Sequence, residues 1–161
     1  MNTYDSGDVV VLRARFGLNT TQLKAQSLAA ATTITLYSVT GLAGSDTLVL
    51  NPGELTEETK VISSISGLVV TLSTALVHDH HVGESVWELA DPTAVTLKVK
   101  NPAGTTTTYT YALTTVTRDS LGVFSKQVTL DSVGTWRSRW EATGAVIAAQ
   151  EGALTVRRTE F

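Results

Sequence analysis

All three histidines of the chain fall in one short stretch, His78-Asp79-His80-His81. Neutral imidazole nitrogens and a carboxylate are ligand types that a transition metal accepts. The pattern stops short of a metal site. His78 and His80 share a face only if the segment is extended. The chain has no cysteine, and no remote histidine is there to complete a tetrahedron. His78, His80 and His81 are weak candidate ligands; a loop or interface role is the plainer expectation, and no cofactor is expected. Glu54, Glu57 and Glu58 follow Pro52-Gly53 as an acidic run. A glycoside hydrolase of the paired-carboxylate kind needs an acid and a base flanking a cleft. Nothing local pairs these three, so a solvated turn is expected.

The remaining chemistry-bearing types are aromatic and basic. In Thr135-Trp136-Arg137-Ser138-Arg139-Trp140-Glu141-Ala142 the two tryptophans have even separation and share one strand face with Ser138. They are either core anchors or, with Tyr109 and Tyr111, an exposed platform for a sugar or a protein partner. Arg137 and Arg139 take the other face and are candidate partner contacts. Arg157, Arg158 and Phe161 close the chain as a basic pair beside an apolar residue, which suits a tail docking on a neighbour as well as a frayed end. There is no Gly-rich phosphate loop, no nucleophile elbow and no dinucleotide fingerprint. No catalytic residue is named, and a non-enzymatic protein is expected.

These residues must be positioned by strands. The chain holds 27 Thr and 19 Val among its 161 residues, and β-branched side chains suit a pleated sheet better than a helix. Val10, Leu12, Ala14 and Phe16 share one parity within 9–16, and Val95, Leu97 and Val99 alternate with Thr96, Lys98 and Lys100. Gly17 to Thr20 reads as a turn. Thr21 to Ala31 is the only segment of helix-forming composition, and it is too short and uncapped to be more than one turn of helix or a linker. Further strands are expected at 32–37, 47–50, 58–65, 68–72, 85–89, 105–113, 116–119, 123–130, 135–142, 146–149 and 152–156, separated by Gly and Pro turns. Short strands at this spacing imply an all-β sandwich or barrel.

Composition bounds the partners. Hydrophobic residues make up 42% of the chain and charged residues 17%, enough apolar content to bury a core. The net charge is −3, so no field attracting nucleic acid is expected. No apolar run approaches the roughly 20 residues that span a bilayer, and the polar, acidic start lacks the pattern of a secretory leader. A soluble protein made in the cytoplasm is the expectation.

Asp8-Val9-Val10-Val11-Leu12, Pro92-Thr93-Ala94-Val95-Thr96-Leu97-Lys98-Val99-Lys100-Asn101-Pro102-Ala103-Gly104-Thr105 and Gly134-Thr135-Trp136-Arg137-Ser138-Arg139-Trp140-Glu141-Ala142-Thr143-Gly144 resemble small immunoglobulin-like virion proteins of tailed bacteriophages. In those relatives the first strand runs directly into the second passage; here about seventy residues intervene. The intervening block, with Ala31-Thr32-Thr33-Ile34-Thr35-Leu36, Gly44-Ser45-Asp46-Thr47-Leu48 and Val70-Thr71-Leu72 ahead of the histidine loop and Gly83, resembles small β-barrel modules of phage structural proteins. The resemblance implies an immunoglobulin-like β-sandwich from 1–19 plus 91–161, with a small β-barrel inserted as 20–90. It implies a virion subunit, either a capsid decoration protein or a head–tail neck component, that binds capsid or head–tail junction proteins as a homo-oligomer. A carbohydrate- or host-surface-binding sandwich is the alternative.

Overall fold

The computed structural model describes residues 3–158 and is all-β: no helix occurs among them. Fourteen strands are described, in chain order β1 (Thr3–Asp5), β2 (Val9–Arg15), β3 (Gly17–Gln22), β4 (Thr33–Thr35), β5 (Thr47–Leu50), β6 (Glu58–Ser66), β7 (Val69–Leu72), β8 (Ser85–Leu89), β9 (Ala94–Lys100), β10 (Thr106–Thr110), β11 (Thr117–Ser120), β12 (Val123–Thr129), β13 (Gly134–Thr143) and β14 (Ala148–Arg157). The chain divides into two compact units, residues up to Phe16 with Asp91 onward, and Gly17–Ala90.

The discontinuous unit holds a five-stranded sheet in the order β1-β14-β13-β9-β10 and a three-stranded sheet in the order β11-β12-β2. Its pairings are antiparallel except β1 with β14. Period-two burial is plain on β9, where Val95, Leu97 and Val99 are buried while Lys98 and Lys100 are exposed. On β13 it buries Trp136, Trp140 and Ala142 and leaves Arg137 and Arg139 outside. Phe124 of β12 centres an aromatic group, 5.8 Å from the Phe16 ring and 5.3 Å edge-on from Tyr111.

The continuous unit is one six-stranded antiparallel array in the order β3-β8-β5-β6-β7-β4. Just beyond β3 and β4, Leu23 and Leu36 form a bridge that joins the two ends of that order. Leu23, Ile34, Leu36, Leu48, Leu50, Ile62, Val70, Leu72, Leu76 and Val86 fill its core. A strand pair by itself is marginal, and these side chains are buried by packing on one another across the array.

Three sequence expectations are corrected, and one left with two alternatives is decided. Gly17 to Thr20 is not a turn but the start of β3, so residues 17–19 belong with the continuous unit. A Cβ on Gly17 would collide with the Glu88 carbonyl oxygen of β8, and glycine there serves close strand approach rather than reversal. Of the two alternatives for Thr21 to Ala31, a turn of helix or a linker, no helix forms, and the segment is a connection with Leu23 buried in the core and Leu28 58% exposed. The segment is tied instead by bridges at Leu23 and Ser27. The two expected strands at 146–149 and 152–156 are one strand, β14, which continues through Gly152 opposite Ser138. The solvated acidic turn at 54–58 ends at Glu57: Glu58 opens β6 and is buried.

Candidate functional site

A buried group of ionisable side chains is built from the first strand residues of β6. Glu58, Lys60 and Ile62 share the inward parity of that strand, so two charges precede the apolar residue on the core side. The loop after β7 folds over them. Lys60 Nζ lies 2.8 Å from Glu58 Oε2 and also donates to the Ala75 carbonyl. The backbone N–H groups of Val77 and His78 donate to the Glu58 carboxylate at 3.0 and 3.3 Å. The His80 ring closes the group, with Nε2 2.8 Å from Glu58 Oε1 and Nδ1 2.6 Å from Glu84 Oε2. Its backbone is clamped in both directions to Ser27, N–H to carbonyl at 2.8 and 2.9 Å.

Burial alone would raise the Glu58 carboxyl. The donors from Lys60, Val77, His80 and His78 outweigh it and hold the group at about 2. Each His80 nitrogen faces a carboxylate oxygen. Both ring nitrogens are thereby engaged within the fold. The His80 side chain is fully buried. His78 is half-buried and His81 exposed. The three histidines do not converge, and among the described residues no group of three or more His, Cys, Asp or Glu is arranged to hold a metal ion.

The arginines separate into paired and free. Lys98, Glu141, Arg139 and Glu151 form a zigzag across β9, β13 and β14, with contacts of 2.7, 2.8 and 2.5 Å. Lys98 and then Arg139 hold the Glu141 carboxyl below its ordinary value. One rung on, Arg137 stands directly opposite Lys100. Like charges face each other there, and neither has an acidic partner among the described residues. The two cations, Thr135 and the Asn101–Gly104 turn line a recess of about 260 Å³. Arg157 Nε reaches Asp5 Oδ1 at 3.1 Å, fastening β14 to β1. Arg158 is exposed. Phe161 lies outside the described residues.

Trp136 and Trp140 are 7% and 2% exposed, so they are core residues and not a platform. Trp136 Nε1 donates to the Ser132 carbonyl at 2.9 Å, which satisfies its polar edge inside the fold. Tyr109 lies under the Lys126 ammonium, 4.8 Å from ring centre to Nζ.

Sequence reasoning missed Glu58 and Glu84 as partners of His80, and Lys60 as the partner of Glu58. The available signal was the shared parity of Glu58 and Lys60 with Ile62. Val61 supports the opposite phase equally well, and only the fold shows it to be partly exposed. Comparison of the chain with protein-family models, curated proteins and solved structures finds no match.

Proposed function

We propose that this chain is a non-enzymatic structural subunit of a tailed-phage particle, acting as a capsid decoration or head–tail neck protein that docks through strand edges and exposed sheet faces. The observation that carries this reading is the state of β2. It pairs with β12 on one side only and has no strand on the other among the described residues. Val9 and Val11 stand 61% and 50% exposed along it. An unpaired edge with apolar side chains is a template for a partner strand. The ionisable groups, by contrast, are satisfied within the fold at Glu58, His80 and Glu84, where a catalytic acid or base would need access to a substrate.

The reading extends to architecture and address. Two antiparallel-rich sheets with alternate residues buried suit an immunoglobulin-like sandwich, and the Leu23–Leu36 bridge suits a small closed barrel inserted in one of its loops. The partners are capsid or head–tail junction proteins, engaged by several copies of this chain, with many weak contacts added by symmetry. The particle is the site of residence. The recess at Lys100 and Arg137 favours an acidic partner segment over nucleic acid, given the net charge of −3.

Quantitative mass spectrometry of purified particles, with the unaltered chain compared with the Val9→Lys, Val11→Lys double variant, tests this. Incorporation at a fixed copy number, reduced roughly tenfold in the variant while the free protein melts normally, is the expected result. Particles that never contain the chain would end the proposal.

A further inference from the structure

The continuous unit holds a second buried carboxylate that the His80 group does not use. Glu88 lies on β8 opposite Leu48 of β5 and is 5% exposed. Asn19 of β3 donates its side-chain N–H to Glu88 Oε2. Among the described residues no lysine, arginine or histidine forms an ion pair with Glu88, and no donor is bonded to its Oε1. A carboxylate taken out of water without a counter-charge is unfavourable, and buried charges are normally paired.

The carboxylate lines an open recess of about 180 Å³ within this unit. Its lining includes the hydroxyl-bearing Thr21, Ser38 and Thr40 and the apolar Leu42, Leu48 and Val86. The hydroxyl-bearing residues are held in place. Ser38 N–H donates to Thr21 Oγ1 and Thr40 N–H donates to Ser38 Oγ, each at 3.2 Å, leaving those oxygens further acceptor capacity. Gly41 sits at φ +84°, and a Cβ there would fall 2.6 Å from Asn19 Nδ2. Glycine therefore lets this turn close on the amide that orients Glu88.

The chemistry of the lining selects among cations. A divalent metal asks for six or more oxygens, usually with several carboxylates, and only one carboxylate is present. A guanidinium binds best to both oxygens of a carboxylate, and Asn19 already occupies one. A primary ammonium carries three donors and matches Glu88 Oε1 together with neighbouring hydroxyl oxygens, while its methylenes lie against the partly exposed Leu42. We propose that this recess is a binding site for a primary ammonium on a short aliphatic stem, whether a lysine side chain or a free alkylamine. The site stands independently of the docking role proposed above.

Amide NMR titrations of the full chain with n-butylammonium, Nα-acetyl-lysine amide, n-butanol and n-butylguanidinium at constant ionic strength test it. Saturable shifts at the Thr21, Ser38 and Glu88 amides with either amine are expected, the tighter amine identifying the source. Binding of the alcohol and the guanidinium should be weaker by roughly tenfold or more. Glu88→Gln should abolish the amine response in a protein whose spectrum otherwise remains folded. Should that variant unfold, the amine-against-alcohol comparison on the unaltered protein decides alone. Equal response to the alcohol, no saturable response to either amine, or undiminished binding by folded Glu88→Gln would overturn the assignment.

Discussion

His80 and Glu58 are 22 residues apart in the chain and 2.8 Å apart in space, Nε2 to Oε1. The contact fastens the loop after β7 onto the first turn of side chains on β6, and four donors converge on the one carboxylate. Charge is thus spent on holding a loop, at a place where an apolar core residue would otherwise stand.

Removing that carboxylate leaves the buried Lys60 without its ion-pair partner and takes the shared acceptor from the Val77 and His78 N–H groups and from His80 Nε2. Glu58→Ala should destabilise residues 17–90 by about 3–5 kcal/mol. Urea denaturation followed by the fluorescence of Trp87, the one tryptophan of that unit, reads the loss. A change below about 1 kcal/mol would mean that the group contributes little beyond its own desolvation.

Acid should act through the same residue. Glu58 is held at about 2 in the fold against 4.5 for the free side chain. The unfolded chain therefore takes up the proton first as pH falls. The contribution, about 3 kcal/mol, is fully present above the unfolded value near 4.5 and is lost progressively as pH drops toward 2. Urea midpoints between about pH 6 and pH 2 should show this slope in the unaltered chain and a flatter one in Glu58→Gln.

The two faces of β13 should respond in opposite ways. Trp140→Ala removes a side chain that is 2% exposed and should destabilise the discontinuous unit by about 3–5 kcal/mol. Arg137→Ala, on the exposed face, should change stability by no more than about 0.5 kcal/mol. Thermal melts of the two variants give the comparison, and equal effects would contradict the assigned parity.

Thr110 offers a stabilising change. Its Oγ1 is buried with no hydrogen-bond partner. Replacement by the isosteric valine removes an unsatisfied polar atom from a strand that tolerates β-branching. Thr110→Val should raise stability by about 1 kcal/mol, seen as a higher denaturation midpoint.

Where alternation is clean, the strands were legible before the fold. On β9, Val95, Leu97 and Val99 are the buried residues that the pattern indicates, and on β13 the even spacing of Trp136 and Trp140 puts both on one face, which the fold shows to be the core face. Legibility failed where glycine has two meanings. Gly17 marks a close approach between β3 and β8, and Gly152 lies inside β14, yet each reads locally as an interruption. It failed again at β6, since a charged residue on the inward face contradicts the hydrophobic pattern until its partners are known.

By itself the amino-acid sequence determined that this chain forms sheets: β-branched alternation between Gly and Pro turns is a local property, decided over a few residues. Only the tertiary structure decided which charges are buried. A carboxylate such as Glu58 or Glu88 goes inside when donors from distant segments meet it there. That meeting depends on register and loop closure, which no window along the chain encodes.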